Sequence, residues 1–575
     1  MVKVYNTLTR RKEELIPLSG NKINMYACGI TVSGDAHIGH AYQALIYDII
    51  RKYLVKRGFD VTYARNYTDV DDKIIAKSKE TGIPADKYAA MMIKRIDKVM
   101  REFDVDDPDI WLKATCNIDN IIDFIKGLEE KGYAYATPEG DVYFSVEKFP
   151  SYGALSNRKT EEAFSSVRIE NEDNKKSALD FALWKSAKEG EISWDSPWGK
   201  GRPGWHIECS AMNRAAFGDQ IDIHGGGRDL IFPHHENEIA QSEALTGKKF
   251  VKYWIHNGLI KVNGQKMSKS LGNSLLLEDL LKKYSAETIK FALLQTNYRA
   301  DINVTDDLFP TAEKHLVDFY RVLEEAEKSG LESSKKTEKI GEDFVNCMDD
   351  DFNTALAISN LFGYFKNIRK KLKDGDVTAI EDINAIRENY DILGLFRADA
   401  KEFLKKYDKA DAEDNVSVPE EIFALAEKRK AAKAEKNYAL ADEIRKEIAV
   451  IEQSILQIID SFPSRNHYRF PTGKQEIFRR IPYSNHDSIF GKIHFSLITR
   501  FHIKTDPIQP LLSPHRIETF PFRLEGKSIP TVPAHLRGCD QTFFSVFHLI
   551  QIHFIHSLAS HPAPYAGISL AVVQF

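Results

Sequence analysis

The chain has 575 residues, of which 43% are hydrophobic and 28% are charged, and its formal net charge at pH 7 is −5. This length is too great for one compact core, so several domains are expected, and the composition excludes a fibrous or wholly disordered protein. The five cysteines lack the spacing of a disulfide framework, and no apolar run reaches the roughly 18 residues of a membrane span. We therefore expect a cytoplasmic protein without a membrane segment.

The first elements along the chain predict an α/β fold. Residues 22–27 alternate polar and apolar side chains as a strand does, a glycine-containing turn follows, and residues 38–54 carry apolar side chains at helical spacing. A strand, a glycine turn and a helix are how such folds present backbone N–H groups to phosphate. Residues 61–67 predict a second strand, and Asp71 or Asp72 could cap the helix after it.

Changes of pattern divide the rest of the chain. We expect amphipathic helices at 311–329, 340–373, 379–393 and 418–452, and a strand at 141–145. The last 115 residues hold 10 of the 18 histidines and 11 of the 21 prolines without any clear period. The predicted segments are the first half of a catalytic domain (1–114), a connective insertion (115–200), the second half (201–310), a helical domain (311–452) and a tail (453–575). A foreign or out-of-frame origin is favoured for the tail over an appended domain, and no function is assigned to it.

Two short motifs carry the strongest functional signal. The tetrapeptide His37–His40 (HIGH) places two imidazoles one helical turn apart, where each can donate to phosphate, and Gly39 lets a nucleotide approach the backbone. The pentapeptide Lys266–Ser270 (KMSKS) precedes small residues, as in a mobile loop that closes on phosphates. Either motif alone is weak evidence, because histidine pairs on helices and solvated lysine loops are common.

Four other side chains form a candidate metal site. His234 and Glu238 lie four residues apart, so on a helix they point in the same direction. Cys28 is expected at the end of the first strand, and Cys209 comes from a distant segment. Two thiolates, an imidazole and a carboxylate suit tetrahedral zinc. The residues alone leave another interpretation open, in which His234 and Glu238 are a hydrogen-bonded surface pair and the cysteines are buried core thiols.

The ordered motif pair resembles that of class I aminoacyl-tRNA synthetases, and the segments around it are similar to those of cysteinyl-tRNA synthetases. The resemblance extends from the first residues to about residue 450. It rests on the two motifs and on MYACG (25–29), YTDVDDK (67–73), GRPGWHIEC (201–209), DIHGGG (222–227) and FPHHENE (232–238). The chain departs from the pattern at Ile30 and at 33–35, where proline and aromatic residues are often found, and we expect only a small effect.

This resemblance implies an α/β fold, with a Rossmann-like nucleotide-binding catalytic domain interrupted by a mixed insertion and followed by an α-helical bundle. It implies one zinc ion per chain, bound by Cys28, Cys209, His234 and Glu238. Zinc binds a thiolate far more readily than an alcohol, so the ion would distinguish cysteine from serine without an editing site. The remaining implied roles are catalysis for His37, His40, Lys266 and Lys269, ATP binding for Gly39 and Lys269, and cysteine binding for Thr68, Trp205, His224 and Asp229.

The reaction implied by the resemblance joins cysteine to its tRNA. The expected partners are ATP with Mg²⁺, L-cysteine and tRNA(Cys), and the chain is expected to be a monomer. An alternative is a related ligase that joins cysteine to an amino sugar, and the helices between 340 and 450 favour the tRNA enzyme over it. A binding module without catalysis would require damage to the two motifs, and both are intact.

Overall fold

The computed structural model describes residues 1–158, 175–267 and 272–413, scattered positions within 425–446, and a small antiparallel hairpin formed by Arg523–Leu524 and Lys527–Ser528. Met1–Lys406 forms one compact unit and Tyr407–Phe575 a second. The tail at 453–575 therefore lies outside the described residues apart from this hairpin, and the helix expected at 418–452 is described only at part of its positions, up to residue 446. In the described part of the chain, no helix combines the length and apolar character that crossing a membrane would require.

The first unit alternates strands and helices and then becomes helical. Its strands are β1 (Lys3–Asn6), β2 (Arg11–Glu14), β3 (Lys22–Thr31), β4 (Asp60–Thr68), β5 (Ile110–Lys113), β6 (Ala134–Ala136), β7 (Val142–Phe144), β8 (Phe181–Ser186), β9 (Gly201–Pro203), β10 (Ile221–Gly227), β11 (Val251–Asn257), β12 (Ile260–Val262), β13 (Gln265–Lys266) and β14 (Ile302–Val304). Its helices are α1 (Ile38–Lys56), α2 (Asp72–Thr81), α3 (Ala85–Glu102), α4 (Ile118–Glu130), α5 (Trp205–Phe217), α6 (Glu236–Thr246), α7 (Leu277–Leu281), α8 (Ala286–Leu294), α9 (Leu308–Lys328), α10 (Glu338–Asp349), α11 (Thr354–Lys373), α12 (Thr378–Tyr390) and α13 (Ala400–Glu413), the last of which continues into the second unit.

A five-stranded parallel sheet forms the centre of the first unit. Its strand order is β11-β10-β3-β4-β5, and every neighbouring pair is parallel. The chain leaves β3 towards β4 on one side, whereas β10 leads to β11 on the other side. The order therefore reverses between β3 and β10, and the carboxyl ends of strands at such a switch point are where α/β sheets bind their ligands. This sheet confirms the predicted α/β, Rossmann-like class.

The predicted helix at 38–54 is confirmed as α1, and its start is fixed by reciprocal capping. The Nδ1 atom of His37 accepts from the His40 amide at 3.4 Å, and the His37 amide donates to His40 Nδ1 at 3.4 Å. The strand expected at 61–67 is β4, and Asp71 rather than Asp72 caps α2 by accepting from the Lys73 amide at 2.9 Å.

Cys28 lies inside β3 rather than at its end, which corrects the sequence-based expectation. The pairing of β3 with β4 shifts register between Ala27 and Ile30, so Cys28 and Gly29 occupy a bulge while the strand continues to Thr31. A Cβ atom on Gly29 would lie 1.5 Å from the carbonyl oxygen of Asn66, so only glycine fits this bulge. The strand therefore continues past Cys28, with the bulge taking up the shift in register.

The connection between β5 and β10 folds as a separate layer. Its strands β6-β7-β8-β9 form an antiparallel sheet, and α4 packs with them around a hydrophobic cluster that includes Phe144, Leu183 and Trp184. The strand expected at 141–145 is confirmed as β7. The mixed character predicted for this connection is thus present in the described residues 115–158 and 175–200, while its exact boundaries remain a prediction.

The helical region agrees with the sequence at α9 and α12, but the single helix expected at 340–373 is wrong. The chain breaks between α10 and α11, where Asp351 and Phe352 have φ angles of 66° and 51°. Asn353 then caps α11 by accepting from the Leu356 amide at 3.1 Å. The apolar period continues across the break because Phe352 is itself buried, so periodicity alone could not locate it. Helix α13 was not anticipated.

Candidate active site

The candidate site lies at the carboxyl end of the parallel sheet. Cys28 is in β3, Thr68 ends β4, His224 is in β10 and His256 is in β11. The glycine run 225–227 forms the last part of β10, where Gly225 pairs with both β3 and β11. Neighbouring strand ends therefore bring these side chains to one edge, at the switch point of the sheet.

The HIGH turn presents two stacked imidazoles. The rings of His37 and His40 have centroids 3.6 Å apart and planes inclined by 19°. Both side chains are only half-buried, at the first turn of α1. A Cβ atom on Gly39 would lie 3.1 Å from the His37 ring, so a larger residue would crowd this arrangement. The turn thus combines a helix N-terminus with two donors, which suits phosphate.

The lysine motif begins beside the HIGH turn. Lys266 is exposed at the end of β13, and the Cε atom of Met267 is 3.5 Å from the position of a Cβ on Gly39. Residues 268–271 are outside the described part of the chain, so the structure gives no position for Lys269. The two motifs, more than two hundred residues apart in sequence, approach each other at Gly39.

The segment after the lysine motif also pairs with the HIGH turn. The Ile38 amide donates to the Leu275 carbonyl at 2.9 Å, and the Leu277 amide donates to the Ala36 carbonyl at 3.0 Å. A short β-bridge between His37 and Leu276 joins these contacts. Both described ends of the lysine segment are therefore held against the start of α1.

The four candidate metal ligands form a closed ring of contacts. Cys28 Sγ lies 3.6 Å from Cys209 Sγ and 3.5 Å from Glu238 Oε1. His234 Nε2 is 3.0 Å from Glu238 Oε1, and the His234 side chain also hydrogen-bonds Cys209. A short helical turn at Ile231–His235 leads into α6, so His234 and Glu238 do face the same way. All four side chains are buried, which argues against a surface pair.

The pKa values of these groups are shifted in different directions. Burial, with Cys209 and Glu238 nearby, raises the pKa of Cys28 well above its usual value. The hydrogen bond from Cys28 is the main reason why the pKa of Cys209 is lowered to about 6. Burial alone would lower the pKa of His234, but Glu238 and Cys209 outweigh it and raise this pKa to about 10. One thiol is thus prepared to be a thiolate, the form that binds metals.

More histidines surround this ring. His224 Nε2 is 2.8 Å from Glu238 Oε2, and His206 Nδ1 is 3.0 Å from His234 Nδ1. His235 Nδ1 is 2.8 Å from His256 Nε2. Side chains that orient metal ligands usually make contacts of this kind.

His235 is also close enough to be a ligand. Its Nε2 atom lies 3.3 Å from Cys28 Sγ, and ligand atoms of Cys28, His234, His235 and Glu238 all lie within 4.8 Å of one another. Burial lowers the pKa of His235 well below its ordinary value, so this imidazole is neutral. The structure therefore offers five candidate donors for one ion, of which the sequence singled out four.

The donor set fits zinc. Ligand atoms around a tetrahedral zinc ion are about 3.3–3.8 Å apart, given bonds of about 2.3 Å to sulfur and about 2.0 Å to nitrogen or oxygen. The two contacts of Cys28 Sγ, at 3.6 and 3.5 Å, fall in this range, and the cysteines are free thiols. Two sulfurs with one nitrogen and one oxygen are a combination that zinc accepts readily.

Two of the predicted cysteine-binding residues, Trp205 and His224, contact this ring. The Trp205 indole stacks on His234 with centroids 4.4 Å apart, and 39% of Trp205 remains exposed. Thr68 and His224 are buried, whereas Asp229 is exposed just after β10. The structure thus brings Trp205 and His224 into contact with the metal-ligand candidates and leaves Asp229 open to a ligand.

Two residues of the site were missed in the sequence. His256 was not singled out, although it is a polar residue near the end of a buried strand, which is a usable signal in parallel sheets. Asn66 was missed as well. Its Oδ1 atom accepts from the Gly29 amide at 2.8 Å and lies 3.8 Å from Cys209 Sγ, so it supports the bulge that carries Cys28.

Comparison with known proteins agrees with this geometry. Residues 14–314 match the family model of the class I (C) tRNA synthetase catalytic domain, and residues 343–397 match the DALR domain model. A methionyl-tRNA synthetase from Mycobacterium tuberculosis, solved with methionyl-adenylate, superimposes with a TM-score of 0.51 at 13% identity over 67% of this chain and 93% of that one. At this identity the likeness shows a shared fold.

Curated relatives define the family more narrowly. The cysteine–tRNA ligase of Syntrophotalea carbinolica is 46% identical over 462 residues, covering 78% of this chain and 96% of that protein. The cysteine–tRNA ligase of Geobacillus thermodenitrificans is 45% identical over 461 residues, covering 78% of this chain and 95% of that protein. Matches of this extent place the chain in the cysteine–tRNA ligase family of class I aminoacyl-tRNA synthetases.

Proposed function

We propose that this chain activates L-cysteine with ATP and transfers it to tRNA(Cys). The observation that carries the proposal is the ring of Cys28, Cys209, His234 and Glu238 in a sheet whose first helix begins with the HIGH turn. In the first step a carboxylate oxygen of cysteine attacks the α-phosphorus of ATP, and pyrophosphate leaves. In the second step a ribose hydroxyl of the terminal adenosine attacks the carbonyl carbon, and AMP leaves.

The chain's own residues assist adenylation by offsetting negative charge. His37 and His40 donate to phosphate oxygens, and Gly39 leaves room for the nucleotide at the helix N-terminus. Lys266 and Lys269 neutralise the charge that collects on the departing pyrophosphate, and Mg²⁺ accompanies ATP. The approach of Met267 to Gly39 supports this division of roles, because it places Lys266 beside the HIGH turn.

Cysteine is selected at the four-ligand ring. One zinc ion per chain, held by Cys28, Cys209, His234 and Glu238, would supply a position that takes a thiolate in preference to the hydroxyl of serine. Trp205, Thr68 and His224 shape the surroundings, and Asp229 pairs with the substrate ammonium group. The exposed carboxylate of Asp229 after β10 and the ring stacking of Trp205 on His234 support these assignments.

Transfer to tRNA is supported by the helical part of the chain. The DALR match over 343–397 falls within the predicted helical domain 311–452, and we propose that this domain contacts tRNA. The predicted boundaries at 114, 200, 310 and 452, the monomeric state and the cytoplasmic location are kept as proposals. A ligase that joins cysteine to an amino sugar would share the adenylation step and lack the transfer to tRNA.

ATP–pyrophosphate exchange with purified protein tests the first step, with cysteine and serine compared at equal concentration. Charging of total tRNA with labelled cysteine tests the second step. Exchange with cysteine only, followed by charging, is the expected result. Exchange without charging would point to the amino-sugar ligase or to a C-terminal part too damaged to hold tRNA, and the absence of cysteine-dependent exchange would reject both ligases.

A further inference from the structure

Asp301 occupies a junction next to the candidate active site. It lies immediately before β14, and its Oδ1 atom accepts from the Leu259 amide at 3.0 Å. Leu259 belongs to the short connection from β11 to β12, which carries the chain from the central sheet to the lysine motif. The Asp301 carboxylate therefore lies between the end of the central sheet and the segment that leads to the lysine motif.

One cation held by Asp301 borders the cysteine pocket. The Arg228 guanidinium forms an ion pair with Asp301 Oδ1. Arg228 directly follows β10 and directly precedes Asp229, the proposed partner of the substrate ammonium group. This ion pair anchors the first residue after β10, and it thereby holds the adjoining Asp229 in position for the substrate.

A second cation held by Asp301 belongs to the lysine hairpin. Lys261 Nζ lies 3.0 Å from Asp301 Oδ2, and Lys261 pairs directly across the hairpin with Lys266. Through this ion pair, Asp301 anchors the hairpin position opposite Lys266 and so keeps β13 in register at the start of the KMSKS segment.

We propose that Asp301 is a positioning residue that couples the two parts of the adenylation site, acting on Asp229 through Arg228 and on Lys266 through Lys261. Side-chain exposure of 21% for Asp301, against 47% for Arg228 and 42% for Lys261, puts the shared carboxylate on the inner side of both pairs. This inference rests on the proposed function, because Asp229 and Lys266 have these roles only in adenylation.

Separate Michaelis constants in pyrophosphate exchange test the coupling. Arg228→Gln should raise KM for cysteine about fivefold and leave KM for ATP unchanged, since only the ion pair beside the cysteine pocket is lost. Lys261→Gln should loosen the hairpin that carries Lys266. It should therefore raise KM for ATP about fivefold, or lower kcat to the same extent, without an effect on KM for cysteine. Asp301→Asn should produce both changes, and Asp301→Glu should recover part of each.

A double variant and a matched control complete the experiment. Asp301→Asn combined with Arg228→Gln should raise KM for cysteine no further than Asp301→Asn alone, because both remove one interaction. Asp219 is the control, since it also holds two cations, Arg214 at 3.0 Å and Lys248 at 2.8 Å, at the opposite end of β10. Asp219→Asn should leave all the constants unchanged.

The outcomes separate this inference from the proposed function. If the wild-type chain shows no cysteine-dependent exchange, the proposed function fails and Asp301 loses the role with it. If the wild type is active and Asp301→Asn behaves as Asp219→Asn does, only the coupling is rejected. If Asp301→Asn does not fold, the variants of its two half-exposed partners provide the test. Values of KM and kcat that are unchanged in both Arg228→Gln and Lys261→Gln would then overturn the proposal.

Discussion

The hydroxyl of Tyr298 donates a 2.8 Å hydrogen bond to the fully buried carboxylate of Asp351. The same carboxylate accepts from the Tyr5 amide and from Arg299 Nε, each at 2.8 Å. The Tyr298 carbonyl in turn accepts from the hydroxyl of Tyr42, on the helix that begins at the HIGH turn, at 3.2 Å. The carboxylate of Asp351 therefore ties the left-handed turn between α10 and α11 to three groups in the catalytic part of the chain.

Asp351→Asn should lower the free energy of unfolding by about 2–4 kcal/mol, because it removes the charge that Arg299 faces inside the protein. The neighbouring Asp350 is the control, since its ion pair with Lys12 is more than a third exposed on both sides. Asp350→Asn should change the free energy of unfolding by less than about 1 kcal/mol. Urea unfolding followed by circular dichroism measures both variants, and equal losses would show that Asp351 is not the connection described.

Zinc content and cysteine activation should be lost together in Cys209→Ala. Metal analysis should find about one zinc per wild-type chain, as a four-ligand site requires, and far less in this variant. Cys347→Ala removes another buried cysteine outside the site and should keep both zinc and exchange activity. Exchange activity that survives in a zinc-free Cys209→Ala protein would exclude the metal from cysteine recognition.

His235 provides a sharper test of which donors hold the ion. It lies as close to Cys28 as the predicted ligands do, but its other nitrogen contacts His256. If Cys28, Cys209, His234 and Glu238 are the ligands, His235→Gln should retain zinc at full stoichiometry, with weaker affinity through lost orientation. Complete loss of zinc in His235→Gln, with retention in Cys209→Ala, would instead assign His235 as the fourth ligand.

Local signals in the sequence were sufficient for much of this fold. The helix after the HIGH turn and the strands beside it follow from periodicity and capping residues, which depend on neighbours within a few positions. The break at Asp351 could not be predicted in this way, because it depends on bonds from Tyr5 and Tyr298, both distant in sequence. Tertiary contacts override a continuing helical pattern there.

In the candidate site, too, some residues could be predicted from the sequence and others only from the folded structure. Cys28, Cys209, His234 and Glu238 were found because of the resemblance to known motifs, and the structure brings them together. Asp301 belongs to no motif. Its position depends on the crossover that carries β14 alongside β12, so only the assembled sheet shows that it contacts Arg228 and Lys261.

Acid should destabilise the protein through His256. Burial lowers the pKa of this imidazole to about 3, whereas its unfolded value is about 6.5. Between these values the unfolded chain binds the additional proton, so the free energy of unfolding falls as the pH drops below about 6.5, by about 1.4 kcal/mol per pH unit for this group. The His256→Gln variant should have a lower free energy of unfolding than the wild type at pH 7.5, but this free energy should fall less as the pH is lowered. If the free energy of unfolding falls equally steeply with pH in the wild type and in His256→Gln between pH 6.5 and 5, the interpretation of His256 as a neutral, buried imidazole is contradicted.

Removing the tail should leave adenylation intact. Every described residue assigned to the site lies in the Met1–Lys406 unit, and the relatives are aligned over 95–96% of their length by 78% of this chain. A chain that ends at residue 452 should therefore show cysteine-dependent pyrophosphate exchange within about twofold of the full chain, because no ligand or motif residue is removed. The same truncation assayed for tRNA charging reports separately on tRNA binding. A large loss of exchange would mean that residues 453–575 stabilise the catalytic fold, and the interpretation of the tail as foreign sequence would then be wrong.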